Sequence, residues 1–170
     1  ICENNQLMQF NPNEIDQAGI SKLLSGAVIP RPIGWISSIS ADGLVNLAPF
    51  SFFNAIGDDP PHVMFSTVRT GDRNKDTLNN VLETKQFVVN MVTEETLVQM
   101  NETANVVARD VNEFELAGLT AIPSAIDKPA RVKESPVQFE CQLVHHYALE
   151  NAKFGGAVLM VGRIVMFHYD

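Results

Sequence analysis

The order of strand-like and helix-like segments is the feature of this chain that most constrains its fold. Apolar and β-branched patterns predict strands at 33–39, 44–47, 62–68, 86–92, 137–147 and 157–169. Helical patterns are confined to 14–24, 74–85, 93–103 and 111–116. These helices do not alternate regularly with the strands, as a parallel sheet would require. The pattern therefore favours an antiparallel barrel with a few peripheral helices.

Length, charge and hydropathy limit the number of domains, the classes of binding partner and the location expected for this chain. The chain has 170 residues, which lies within the ~100–200 residues of one domain, so a single domain over 1–170 is predicted, with about the first 25 residues peripheral. A formal net charge of −8 repels the nucleic-acid backbone, and nucleic-acid binding is not expected. No apolar run of 18 residues and no signal-peptide pattern is present, so we expect a cytoplasmic protein without a membrane span. The last strand-like run reaches the final residue, which leaves open whether the natural protein continues.

Local positive charge stands out against this acidic background in the segment 69–77. Arg73 and Lys75 supply cations, and Thr70 and Thr77 supply hydroxyl groups. The helix predicted just after them begins with N–H groups that lack intrahelical partners. Cations, hydroxyl donors and free N–H groups together suit a phosphate monoester. The segment is therefore predicted to hold a phosphate.

The alternative for this segment is a solvated turn with Asn74 or Asp76 as an ordinary N-cap. Asp76 complicates the phosphate hypothesis, because a carboxylate cannot accept a hydrogen bond from a dianionic phosphate. We expect Asp76 to orient Arg73 or Lys75, or to cap the helix.

A second segment, 46–54, combines aromatic and amide side chains. Its aromatic residues are Phe50, Phe52 and Phe53, and its polar residues are Asn46, Ser51 and Asn54. A flat ring with a polar edge needs apolar contact on its faces and amide-like groups at its edge. The alternative is that the phenylalanines are simply core residues. Together, the two segments predict a phosphorylated aromatic cofactor.

Other candidate residues carry weaker signals. Arg31 lies between two prolines, which hold its backbone extended, and it serves either a ligand or a structural ion pair. Trp35 is the only tryptophan; it either borders the cofactor or, as we expect, packs within a strand. No cysteine or histidine spacing indicates a metal site. The dinucleotide, Walker A, zinc-protease and serine-hydrolase motifs are all missing from the sequence.

Several motifs occur in a characteristic order along the chain. They are PRPIGWISS at 30–38, NLAPFSFFN at 46–54, DPPHVMFS at 59–66, RNKDT at 73–77, FVVNMV at 87–92 and, more weakly, VLMVGRIV at 158–165. In this order they resemble the flavin reductase-like family of FMN-binding split barrels, in the branch of flavoredoxin and the reductase component of nitrilotriacetate monooxygenase. The resemblance spans roughly 26–167. It implies an antiparallel split β-barrel, a homodimer, and FMN near the dimer interface.

The resemblance also implies which residues contact the cofactor. The flavin-contacting segment would supply Asn46, Ser51, Phe52 and Asn54. Ser66 would end the strand that leads to the phosphate-binding residues Arg73, Lys75, Asp76 and Thr77. Arg31 is a candidate for stabilising the anionic reduced flavin. Because the flavin itself carries the chemistry, no catalytic acid or base is expected.

The implied function is that of an FMN-dependent oxidoreductase. It would be an NAD(P)H:flavin reductase or an electron-transfer flavoprotein that supplies reduced flavin to an oxygenase partner or another acceptor. Related reductases carry a Gly-Asp-His motif before the last strand, whereas this chain has Phe-Gly-Gly-Ala at 154–157, which leaves NAD(P)H use open. The alternatives are a non-catalytic module that stores, delivers or senses FMN, and a scaffold without a cofactor.

Overall fold

The computed structural model describes residues 8–68, 74–149 and 156–170. The chain divides into two compact units, Ile1–Arg31 and Pro32–Asp170. The first unit contains helix α1, Gln17–Ala27. This helix begins three residues later than predicted because the Asp16 carboxylate accepts the Gly19 N–H at 2.7 Å and caps it. The single domain over 1–170 remains a prediction.

The second unit is built mainly from strands. In chain order its elements are β1 Gly34–Ile39, β2 Val45–Phe50, β3 Phe53–Asp58, β4 Pro61–Val68, α2 Asp76–Thr84, β5 Gln86–Met91, α3 Leu97–Glu102, α4 Glu113–Leu116, β6 Ala121–Ile122, β7 Arg131–Val132, β8 Val137–Ala148 and β9 Ala157–Tyr169. Seven strands form one antiparallel sheet in the order β2-β1-β5-β8-β9-β4-β3, and β6 pairs with β7.

The seven-stranded sheet curls around one core without closing. Its two edge strands, β2 and β3, follow each other along the chain and are separated by only two residues. The main core cluster draws side chains from both edges and from the centre, including Phe50, Phe53, Phe87 and Met160. Side chains from opposite ends of a flat sheet would not share one cluster. The antiparallel split barrel implied by the resemblance is confirmed.

The sequence predicts a strand at 44–47 followed by a loop, and the structure of the segment 46–54 differs from this prediction. The structure places β2 through Phe50 and starts β3 at Phe53. Pro49 does not stop β2, because an edge strand needs no N–H donor on its outer side. β3 was missed because residues 54–58 are all exposed, so no apolar alternation marks the strand in the sequence.

A second apolar cluster lies on the other face of β1 and β2. It contains Trp35, Leu47, Met100 and Phe114, so it packs α3 and α4 against this edge of the sheet. Trp35 is fully buried, which confirms that it packs within a strand. This cluster sets the position of the segments that follow α3 and begin α4, and these segments form part of the candidate site.

Candidate functional site

A cavity of about 280 Å³ opens where β2 meets the start of α2. Such a volume lies near the lower end of the range of ligand pockets. Four segments form its walls. They are Asn46, Ala48 and Pro49 of β2, residues 74–77 at the start of α2, residues 103–107 after α3, and Glu113 at the start of α4.

The N-terminus of α2 lies at the wall of this cavity. Lys75 is the N-cap residue, in extended conformation, and its side chain makes no capping hydrogen bond. The first intrahelical bond onto its carbonyl comes from Leu78, at 3.0 Å. The N–H groups of Asp76 and Thr77 therefore have no acceptor within the described residues. An ordinary cap by Asn74 or Asp76, the alternative from the sequence, is not what the structure contains.

A buried hydrogen bond joins the two segments that the sequence singled out. Asn46 Nδ2 donates to Thr77 Oγ1 at 3.1 Å, and both side chains are buried. Asn46 is held by its pairing with Ser38 in the sheet, whereas Thr77 lies in the first turn of α2. The bond thus fixes an amide and a hydroxyl group on the wall of the cavity, although the two residues lie 31 positions apart.

Within the described residues, Asp76 lies near a cation that the sequence analysis did not name. Its Oδ1 lies 3.9 Å from Arg109 Nη1, and both side chains are exposed. Exposed ion pairs of this kind contribute little stability, about 0–1 kcal/mol. Arg73, one of the expected partners of Asp76, lies outside the described residues, as does Thr70. The phosphate role of Arg73 therefore stays a prediction.

Glu113 is a cavity residue that the sequence analysis missed. Its side chain is buried, and Oε2 accepts the Leu47 N–H at 3.2 Å. Burial raises the pKa of Glu113, hydrogen bonds from the backbone N–H groups of Glu113 and Leu47 oppose the shift, and the charge of Asp76 adds to it. Asn112 before it does signal a helix start, because its side chain accepts the Phe114 N–H. That signal cannot show that the helix packs against β2.

The loop 103–107 is anchored to the core by the single tryptophan. Trp35 Nε1 donates to Thr103 Oγ1 at 2.9 Å, and Thr103 Oγ1 donates to the Met100 carbonyl at 2.8 Å. Further along this loop, Val106 is 92% exposed at the edge of the cavity. The loop therefore begins at a buried, hydrogen-bonded residue, Thr103, and exposes an apolar side chain at Val106.

The remaining predicted contacts lie apart from the cavity lining. Ser51 and Phe52 connect β2 to β3, and Ser66 N–H donates to the Phe52 carbonyl at 2.8 Å. Asn54 is exposed on β3, and its side chain accepts the Ala55 N–H at 2.9 Å. These residues form a second group, at the bend between the two edge strands.

The aromatic residues of this segment divide between core and surface. Phe50 and Phe53 belong to the core cluster, as the alternative hypothesis held, whereas Phe52 is 44% exposed. Of the three, Phe52 alone therefore presents a large part of its ring to solvent. Arg31 is the last residue of the N-terminal unit and is half-buried. Its role toward a ligand stays a prediction.

The donor set of the cavity fits a phosphate group. Among the described residues, its wall includes the cation Lys75, the uncapped first turn of α2 and Thr77, which carries a hydroxyl group, and phosphates bind such helix N-termini. No cluster of three or more metal-binding side chains occurs within 8–68, 74–149 and 156–170. None of the described helices is long and apolar enough to cross a membrane.

Comparisons with known proteins place this chain in a family. Residues 25–170 match the family described as "Flavin reductase like domain". A protein of Aquifex aeolicus (strain VF5) is 47% identical over 156 residues, which are 90% of this chain and 80% of the relative. The crystal structure of nitrilotriacetate monooxygenase component B from Bacillus cereus is 35% identical, with a TM-score of 0.92, and the match covers 98% of this chain and 83% of that one.

A second solved structure with a similar fold is that of a nitroreductase. The 2-nitrobenzoate 2-nitroreductase NbaA from Pseudomonas fluorescens is 30% identical, with a TM-score of 0.82, over 96% of this chain and 77% of that one. The family match covers most of the chain, and these relatives share its fold over nearly its whole length. The chain therefore belongs to the flavin reductase-like domain family.

Proposed function

We propose that this protein binds FMN and acts as an oxidoreductase that takes electrons from NAD(P)H and supplies reduced flavin to an acceptor. Membership of the flavin reductase-like family supports a flavin-dependent redox activity. The observation that favours FMN is the uncapped N-terminus of α2, which opens into a cavity beside Lys75. A terminal phosphate monoester is the part of FMN that such a site would bind. When bound, the flavin supplies the redox chemistry.

The chain's own residues bind and orient the cofactor in this proposal. Lys75 pairs with the phosphate, and the N–H groups of Asp76 and Thr77 donate to its oxygens. Asn46 holds the Thr77 hydroxyl in place. Arg73, which is not among the described residues, would add a second cation to the phosphate site.

In the proposal, the residues at the bend between β2 and β3 would hold the flavin ring. Ala48 and Pro49 line the cavity only two or three residues before Ser51, which supports continuity between the two groups of predicted residues. Phe52 would cover the ring, Ser51 and Asn54 would contact its polar edge, and Ser66 would end the strand that leads to the phosphate-binding residues. Arg31 then stabilises the negative charge of the reduced form.

The proposed assembly is a homodimer in the cytoplasm. The outer edge of β3 has no strand beside it in the described sheet, and Ile56 on it is 51% exposed. An unpaired, exposed edge strand is a surface on which a second chain can pair. A monooxygenase component among the solved relatives suggests an oxygenase as the consumer of reduced flavin.

The absorption spectrum tests the function directly. The purified protein is mixed with FMN, freed of excess ligand, and titrated with NADH without oxygen. Bound flavin bands that bleach with NADH are the expected result. A protein that retains no FMN contradicts the proposal as a whole.

The phosphate assignment has its own test. Replacing both Arg73 and Lys75 with Ala is expected to weaken FMN affinity at least tenfold, because charge-assisted hydrogen bonds contribute about 1.5–3 kcal/mol each. The matched control replaces Lys128 and Lys133, two exposed lysines outside the cavity, and should leave the dissociation constant unchanged. Equal affinities for the two double variants would remove the phosphate assignment.

The second candidate is a non-catalytic module that stores or delivers FMN. The Phe-Gly-Gly-Ala sequence at 154–157, which lacks the Asp-His pair of related reductases, favours it. Steady-state NADH oxidation with excess free FMN separates the two candidates. Bound flavin that bleaches with dithionite but not with NADH would favour the storage module.

A further inference from the structure

The described wall of the cavity carries more negative than positive charge. Asp76 and Glu113 line it together with one cation, Lys75. A phosphate monoester adds about −1.5 to −2 charges at neutral pH. A bound phosphate would therefore lie in a cavity whose described wall holds two carboxyl groups and one cation.

The two carboxyl groups differ in their surroundings. Asp76 is 39% exposed and lies 3.9 Å from Arg109 Nη1. Glu113 is buried, and one neighbouring backbone N–H, that of Leu47, donates to it. Desolvation and sparse hydrogen bonding both disfavour a charged carboxylate. Both conditions apply to Glu113, so its charged form is disfavoured.

The elements around Glu113 offer it little further electrostatic support. Strand β2 and the loop 103–107 contain no charged residue. Helix α2 and its cap present Lys75 and Asp76 to the cavity, and Arg109 lies against Asp76. On its own helix, Glu115 is exposed and bonded to Asn112. The charges near Glu113 therefore nearly cancel before a ligand arrives.

We propose that Glu113 is a ligand-binding residue of this cavity and takes up one proton from solvent when a phosphorylated flavin binds. The inference rests on the proposed function. The incoming phosphate would raise the proton affinity of Glu113 further, since like charges in a poorly solvated site repel strongly. The neutral acid keeps a carbonyl oxygen for the Leu47 N–H and gains an O–H that donates to a ligand oxygen. No bond to carbon changes, and the proton is the only particle transferred.

The direction of the Glu113 pKa in the free protein agrees with this inference. Burial already raises it, and the charge of Asp76 contributes in the same sense. A group that starts above its ordinary value needs a smaller further shift to become protonated near neutral pH.

Calorimetry in buffers of different ionisation enthalpy measures the protons taken up. FMN is titrated into the wild type, Glu113→Gln and Glu115→Gln at about pH 7.5, where the phosphate of free FMN is already mostly dianionic. Wild type and Glu115→Gln are expected to take up a proton fraction that Glu113→Gln lacks. The FMN affinity of the wild type should fall by up to about tenfold per pH unit above this pH, the limit for one proton. Glu113→Gln should show a much flatter profile.

Riboflavin, which has the same ring and polyol chain without the phosphate, provides a readout that needs no variant. Its binding to the wild type should take up fewer protons than the binding of FMN does. Equal uptake by wild type and Glu113→Gln, with FMN bound by both, would overturn the inference and leave the proposed function intact. If the wild type binds no FMN, both fall. If Glu113→Gln does not fold, equal proton uptake with FMN and riboflavin would overturn the inference.

Discussion

Two buried glutamates in this protein have opposite electrostatic environments. The carboxylate of Glu140 accepts the backbone N–H groups of residues 125–127 at 2.6–2.8 Å and His168 Nε2 at 2.7 Å. Glu113 accepts the Leu47 N–H at 3.2 Å. Burial acts to raise the pKa of both carboxyl groups. The hydrogen bonds to Glu140 outweigh this effect and hold its pKa below the ordinary value, whereas the pKa of Glu113 lies above it.

The comparison shows that the number of hydrogen-bond donors around a buried carboxylate distinguishes a structural role from a possible ligand-binding role. The Glu140 carboxylate accepts four hydrogen bonds and so holds residues 125–127 against β8. We call this set of contacts the latch. Glu113 has hydrogen-bonding capacity left and faces a cavity. Both side chains are buried. Of the two, Glu113 combines unused hydrogen-bonding capacity with a neighbouring cavity, and this combination indicates a functional role.

The largest effect should come from weakening the latch. Glu140→Gln places an amide donor among backbone donors and removes the charge, so it should lower the free energy of unfolding by about 3 kcal/mol. Glu113→Gln keeps an acceptor for the backbone N–H groups of Leu47 and Glu113 and should change that free energy by less than about 1 kcal/mol. Urea denaturation at pH 7.5 measures both. Similar losses in the two variants would contradict the comparison.

Asp127, next to the latch, extends the comparison to pH. Its Oδ1 accepts from Gln142, whereas Oδ2 has no partner within the described residues. Desolvation, opposed by the Gln142 hydrogen bond and reinforced by the charge of Glu140, raises its pKa from 3.8 to about 6. A raised folded-state pKa means that its stabilising contribution is complete below 3.8 and is lost as pH rises through about 6.

Asp127→Asn should therefore be more stable than the wild type at pH 8, by on the order of 1–3 kcal/mol. At pH 4 the gain should be much smaller, because the wild-type carboxyl is then largely protonated in the folded protein. Urea denaturation at the two pH values gives both differences. A stability gain that does not depend on pH would show that the charge of Asp127 is not its cause.

The smallest expected effect concerns the cavity wall. Thr103→Val leaves the buried Trp35 N–H without its acceptor and should cost about 1–2 kcal/mol of stability. It should also weaken FMN binding, because residues 103–107 lose an anchor. Quenching of the fluorescence of the single tryptophan by added FMN measures the affinity. Thr120→Val, at an exposed position, is the control, and equal affinities would mean that the anchor does not shape the site.

Much of the fold was predictable because local patterns agree with the final packing. The runs 157–169 and 86–92 form β9 and β5 with nearly the predicted bounds. The Ala-Asp-Gly turn at 41–43 forms with Gly43 at φ +87°, a conformation that favours glycine. β3 was missed because its burial pattern depends on its place at the sheet edge. The two-residue strands β6 and β7 are too short to leave a periodic signal.

The sequence alone determined the family, the barrel class and the segments that carry the candidate site, since residue types and their order suffice for these. Only the tertiary structure decided that Asn46 meets Thr77, that Arg109 reaches Asp76, and that Glu113 enters the cavity. Each of these contacts joins residues distant in sequence through the way α2 and α4 pack against β2. Sequence spacing indicates which faces of an element are apolar, but the partner of each polar group depends on how those faces meet.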